Sequence, residues 1–267
     1  MHIKRWTGAL VLSCLLAFMS LPATAAMQAK PVEWKQGKQR FSGYLVYNDA
    51  NATKRPGLMM VPDWMGVTPA AVEKAKQIAN AGYVVLVADM YGKGVRPKDD
   101  KAARAQVTKL YADLSVLRAR AAAALDFMRA QATAAPIDTR RIGALGFCFG
   151  GKTVLELARS GADIAGVVSF HGGLDTEMPV QAGVIKASVL VLNGADDTYV
   201  TAEHIRAFES EMKTVGADWQ FVNLSGAVHC FALESANSPP GCVYNERAAK
   251  RAFTMMNQFF FERFGSR

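Results

Sequence analysis

Seven short runs of apolar residues, separated by helix-forming segments, constrain the fold of this chain more than any other feature. They fall at residues 41–47, 58–61, 84–88, 142–146, 166–170, 189–193 and 220–224. Most are continuous, as in Val84-Val85-Leu86-Val87-Ala88, rather than alternating. A strand that is apolar on both sides needs a covering layer on each, which is the situation of a strand inside a parallel sheet. Only 41–47 alternates well enough to suit an outer, antiparallel place. Segments 69–81, 101–130, 151–160, 202–215 and 246–264 carry helical periodicity, the second as one long or two short helices. Repeated strand-then-helix order predicts an α/β fold, a doubly wound, mostly parallel sheet with helices on both faces. No repeat, low-complexity tract or linker divides it, so a single domain is expected.

The first 26 residues are a separate matter. Lys4 and Arg5 precede an apolar run over 9–21, and Ala23-Thr24-Ala25-Ala26 closes it with small residues. A positive start, an apolar middle and an A-x-A end are the marks of a secretory signal peptide. The run is short for a membrane span, which needs about 20 residues. Cleavage after Ala25 or Ala26 is therefore expected, with residues 1–25 as signal, 26–267 as the domain, and no stable membrane insertion. The expected location is periplasmic or secreted. The formal charge of +8 includes +2 from Lys4 and Arg5, which leaves +6 after cleavage. Its basic residues are interspersed with polar ones, a pattern of solvated surface rather than of a nucleic-acid partner.

Cleavage would leave Cys148, Cys230 and Cys242. An odd count in an exported chain points to one reactive thiol. Cys230 and Cys242, 12 residues apart across Ser238-Pro239-Pro240-Gly241, could close a disulfide. Three free thiols is the alternative, since spacing does not reveal pairing geometry.

The sharpest local motif is Gly146-Phe147-Cys148-Phe149-Gly150-Gly151, lying between the strand 142–146 and the helix 151–160. This is a nucleophile elbow in its required context. A sharp strand-to-helix turn leaves room only for glycine two residues before and after the nucleophile. The helix N-terminus then aims its dipole at the sulfur, favouring a thiolate and a developing oxyanion. A cysteine nucleophile needs a base, and the base an orienting acid. Strand 189–193 runs into Gly194-Ala195-Asp196-Asp197, and strand 220–224 is followed by His229. Nucleophile, acid and histidine thus follow one another in loops at strand ends. Either aspartate alone could instead cap the helix that starts near Ala202. His204 lies inside a helical run and reads as a surface residue. His171 ends strand 166–170 and reads as structural or as a substrate contact.

These residues resemble the dienelactone hydrolase family over about 30–264. The likeness rests on GFCFGG at 146–151, on Asp197 within G-x-x-D-x-x-V, and on His229, with separations of 49 and 32 residues. Gly-Tyr-Val-Val-Leu-Val-Ala-Asp-Met-Tyr at 82–91 and Val-Ser-Phe-His-Gly-Gly at 168–173 look like family signatures as well. The resemblance implies an α/β-hydrolase fold and a Cys148–His229–Asp197 triad. It implies hydrolysis of small ester or lactone substrates through a thiol ester, with no metal or cofactor. It also implies an oxyanion hole from the backbone N–H groups of Phe149 and Trp64. Two positions depart from it. Where members acting on dienelactone carry a glutamate that contacts the resting thiol, this chain has Asp63, one methylene shorter. Where they carry an arginine four residues after the histidine, this chain has Leu233, and Lys93 is the candidate to meet a substrate carboxylate instead. A redox-active thiol protein built on Cys148 and a non-catalytic binding module on the same scaffold are the rival functions. Neither accounts for an acid and a histidine in hydrolase order.

Overall fold

The computed structural model describes His2 and residues 26–50 and 52–265. The expected signal segment 1–25 lies, His2 aside, outside the described residues. From Met27 the chain enters a hairpin that the apolar runs did not announce. Strand β1 (Met27–Gln36) pairs antiparallel with β2 (Gln39–Asn48) across a turn at Gly37, where φ is 57°. Most of β1 is only partly buried, so it carries Lys30, Glu33 and Lys35 and lacks an apolar run. Its anchor is Trp34, stacked between Phe41 at 5.7 Å and Phe127 at 5.2 Å.

The remaining strands are β3 (Arg55–Val61), β4 (Val84–Val87), β5 (Ile137–Phe147), β6 (Gly166–Phe170), β7 (Ser188–Gly194) and β8 (Trp219–Leu224). They complete an eight-stranded sheet in the order β1-β2-β4-β3-β5-β6-β7-β8. β2 joins β4 antiparallel, and every pairing from β4 through β8 is parallel. Successive side chains point to opposite faces, so the continuous runs serve two cores. In β7, Val189 and Val191 enter one layer while Leu190 and Leu192 enter the other. Burial of each such side chain is worth about 1.5–3 kcal/mol.

Helices α1 (Pro69–Ala79) and α6 (Glu246–Gly265) cover one face. Helices α2 (Asp100–Tyr111), α3 (Leu114–Ala130), α4 (Phe149–Arg159) and α5 (Ala202–Val215) cover the other. The segment 101–130 is thus two helices. The break falls at Asp113, whose carboxylate accepts from Ser115 N and Val116 N and caps α3. Between α3 and α4 runs a buried ion cluster. Glu156, wholly enclosed, receives Arg159 at 2.9 Å and Arg118 at 2.6 Å, and Arg159 also reaches Glu211 at 2.7 Å. The carboxyl ends of β3, β5, β6, β7 and β8 open on one rim, where a parallel sheet gathers its functional loops.

Candidate active site

At the end of β5 the backbone turns sharply, with Cys148 at φ 52° and ψ −113°. For a residue with a β-carbon this conformation costs about 1–3 kcal/mol, a strain found where function requires it. Glycine on either side is a steric necessity. A β-carbon on Gly146 would sit 2.1 Å from the Gly150 carbonyl oxygen, and one on Gly150 would sit 2.0 Å from that of Val61. The turn is pinned by Cys148 N donating to Phe170 O at 3.0 Å. Phe149 is the first residue of α4, so its N–H has no partner inside the helix. Sulfur and a free amide therefore sit together at a positive helix end.

The other two predicted side chains arrive from the loops after β7 and β8. His229 Nε2 lies 3.1 Å from Cys148 Sγ, and its Nδ1 lies 2.7 Å from Asp197 Oδ2. The Asp197 side chain is fully buried, and its Oδ1 accepts from Tyr199 N at 2.8 Å and Val200 N at 3.4 Å. Asp196, its neighbour, is exposed. Neither aspartate caps α5; Thr201 does, in a capping box with His204. Burial disfavours the charged form of His229, but the hydrogen bonds to Asp197 and Cys148 outweigh it and raise its pKa to about 10. Nε2 and the sulfur are thus held within hydrogen-bonding distance of each other.

His171 lies directly beneath. It is completely buried, with φ 41°, and its ring is edge-on to His229 at 5.1 Å and to Phe231 at 5.3 Å. Neither ring nitrogen has a hydrogen-bond partner among the described residues. Burial, and then the positive charge on His229, hold its pKa well below the usual range. Of the two readings of His171, structural or substrate contact, its enclosure favours the first: the ring has no exposed surface and packs against that of His229.

Trp64 is on the loop after β3. Its carbonyl accepts the Tyr91 hydroxyl at 2.7 Å, and the Tyr91 ring packs on Phe149 at 5.4 Å. Tyr91 thereby ties together the two residues expected to hold an oxyanion. The Arg104 guanidinium covers the Trp64 ring at 5.7 Å. Asp63, the residue at the position of the thiol-contacting glutamate, is hydrogen-bonded within its own loop. Its Oδ1 accepts from Met65 N at 2.8 Å, closing the loop, and its short side chain lies with Phe147 and Leu233 in the wall of a cavity of about 180 Å³. Burial raises its pKa. Lys93 is also drawn elsewhere. Its ammonium pairs with Glu33 at 2.6 Å on the hairpin side of the sheet, where Arg40 meets the same carboxylate. Cys230 and Cys242 are joined by a disulfide, and Cys148 is the free cysteine among the described residues.

Tyr199 and Arg104 carried no signal of their own in the sequence, and Tyr91 stood out only as the last residue of the 82–91 signature. Tyr199 is 64% exposed, yet its ring lies 4.9 Å from that of His229. Its place two residues past Asp197 is the one feature that points to it. Among the described residues, no group of three or more His, Cys, Asp or Glu side chains is placed to hold a metal ion. No helix among them is long and apolar enough to cross a membrane.

A cysteine after the fifth strand, an aspartate after the seventh and a histidine after the eighth, on a mostly parallel sheet, have the arrangement of an α/β-hydrolase. The sequence profile of the dienelactone hydrolase family matches residues 41–264, and the chain belongs to that family. It is a hydrolase of the carboxylic ester or lactone type. A solved structure named m3DLH superposes with a TM-score of 0.84 at 37% identity, covering 90% of this chain and 99% of the other. A dienelactone hydrolase-like promiscuous phosphotriesterase from metagenomic libraries gives 0.84 at 38% identity with the same coverage. The carboxymethylenebutenolidase of a Pseudomonas species is 26% identical over 152 residues, 55% of this chain and 63% of that protein.

Proposed function

We propose that Cys148, His229 and Asp197 are nucleophile, acid–base and orienting acid in the hydrolysis of small esters or lactones through a thiol ester. The observation that carries this reading is the continuous relay from Sγ to Nε2 at 3.1 Å and from Nδ1 to Oδ2 at 2.7 Å, with the sulfur at a helix N-terminus. The thiolate attacks the carbonyl carbon. The N–H groups of Phe149 and Trp64 hold the resulting oxyanion. As the tetrahedral species collapses, His229 gives its proton to the leaving alkoxide, and Asp197 steadies the ring in the required tautomer. Water, deprotonated by His229, then attacks the thiol ester and releases the acid.

Cys148→Ala should lower p-nitrophenyl acetate turnover by at least about 10³-fold, and acid-quenched wild-type protein should carry an acyl mass on Cys148. Wild-type turnover by the Ala variant overturns the assignment. A second reading takes phosphotriesters as substrates of the same sulfur, and is supported by the 38% identity to the metagenomic phosphotriesterase. Paraoxon hydrolysis that disappears in Cys148→Ala would establish it.

The chain is further proposed to be exported and cleaved after Ala25 or Ala26. The ordered sheet beginning at Met27, with Ala26 N held by Asp49 Oδ1 at 2.8 Å, supports a domain that starts there. N-terminal sequencing of the protein recovered from a Gram-negative host should begin at Ala26 or Met27. An intact Met1 in the fully processed pool refutes it.

A further inference from the structure

His229 is followed immediately by a cysteine, and that cysteine is covalently committed. Cys230 is bonded to Cys242, and its φ of 62° lies in the left-handed region that few residues other than glycine occupy. The returning chain then grips His229 itself. His229 and Cys242 form an isolated parallel bridge, and Val243 N donates to His229 O at 3.1 Å. Cys242 stands on a small hairpin of β9 (Asn237–Ser238) and β10 (Cys242–Val243). The turn of that hairpin reaches back to the site. A β-carbon on Gly241 would lie 3.6 Å from the Tyr199 ring, whose centroid is 4.9 Å from the His229 ring. The loop closed by the bridge therefore holds His229 twice, through its backbone carbonyl and through the aromatic ring against its imidazole. Asn245 N donating to Phe231 O at 3.1 Å continues the same clasp.

We propose that the Cys230–Cys242 disulfide is a positioning device for His229, and that the thiol–disulfide state of this loop sets the rate of hydrolysis at Cys148. The proposal rests on the reading of Cys148, His229 and Asp197 as the reacting groups. Reduction by a dithiol is a balanced two-electron step. One thiolate attacks a bridge sulfur to give a mixed disulfide. The second displaces it, leaving thiols on Cys230 and Cys242 and the reductant as its own cyclic disulfide. With the bridge open, nothing covalent compels the backbone at Cys230 to stay in its unfavourable conformation, and the imidazole loses its fixed distance from the sulfur. Displacement of a reacting group by about 1 Å costs about 10²-fold in rate. The imidazole acts on the reacting atoms, so the loss falls on kcat. An oxidising compartment keeps the bridge closed and the enzyme on, and a reducing one turns it down.

The test compares wild type with the Cys230→Ala/Cys242→Ala double variant, and with wild type reduced by tris(2-carboxyethyl)phosphine. The phosphine leaves no thiol to intercept an acyl enzyme. Three quantities are read: kcat and KM for p-nitrophenyl acetate, the pH dependence of Cys148 alkylation by iodoacetamide followed by mass spectrometry, and the near-UV circular dichroism. The expected result is a folded protein with kcat down about 10²-fold and KM within roughly threefold. Cys148 alkylation should lose its dependence on His229, and reoxidation of the reduced wild type should restore the rate. A folded double variant, or folded reduced wild type, with unchanged kcat overturns the proposal. So does loss of the near-UV signal in step with activity in both forms, because the bridge then serves global stability alone. Failure of the triad reading is seen separately, as turnover that survives Cys148→Ala.

Discussion

Asp197→Asn perturbs a fully enclosed polar contact of the site while keeping the number of heavy atoms. Asp197 lies 2.7 Å from His229 Nδ1 with a fully buried side chain. Burial alone would push the His229 pKa below 6.5, yet it stands at about 10, through Asp197 first and then Cys148. A rise from 6.5 to about 10 corresponds to about 5 kcal/mol. Asp197 is the first of the groups that raise it, so neutralising Asp197 withdraws imidazolium stabilisation and slows the reaction. A second loss is geometric. The asparagine amide donates to Nδ1, so the neutral ring must carry its proton on Nε2, the nitrogen that has to act as base toward the attacking water. Together these predict a fall in kcat of about 10³–10⁴-fold, the size seen for the same exchange in a serine triad. The asparagine oxygen can still accept from Tyr199 N and Val200 N, as Oδ1 does in the native site, so the fold should persist. The assay is steady-state p-nitrophenyl acetate hydrolysis at pH 7.5, with thermal melting as the control for folding. A variant that melts normally and retains kcat within about tenfold of wild type refutes the assigned role of Asp197.

The raised His229 pKa also fixes the alkaline limit of activity. The imidazolium that protonates the leaving group persists up to about pH 10, so kcat/KM should hold through neutral pH and descend above that value; a descent centred near 6.5–7 contradicts it. Gly150→Ala forces a β-carbon to within 2.0 Å of the Val61 carbonyl oxygen and should cost more than about 3 kcal/mol, seen as a lowered Tm with loss of turnover. Glu156→Gln leaves Arg118 and Arg159 facing a neutral partner in the buried cluster. The expected cost is about 3–5 kcal/mol, a drop of about 10 °C in Tm. A Tm within about 2 °C of wild type would show that the cluster relaxes around the loss.

The sheet was legible because its strands are buried on both faces, which leaves continuous apolar runs that no exposed segment would carry. Strand β1 escaped notice because a half-exposed hairpin strand can bear Lys30, Glu33 and Lys35 while resting its packing on Trp34. The elbow was legible for a steric reason that acts within five residues: the turn at Cys148 excludes a β-carbon at Gly146 and Gly150. The order of acid and histidine along the chain could likewise be read, since strand ends mark where such loops must open.

Other features were decided by tertiary structure alone. Whether Cys230 and Cys242 pair was open in the sequence, and only the approach of the two loops joins them. His171 had two readings until packing enclosed it, and Lys93 was a free cation until Glu33 was set against it by the hairpin. Sequence patterns report what neighbours along the chain require of one another. Cys148 and His229 are 81 residues apart, and their 3.1 Å contact exists because β6, β7 and β8 stack in parallel and bring their ends to a single rim. Tyr199 and the disulfide-closed loop reach the same rim through that convergence and from no local pattern.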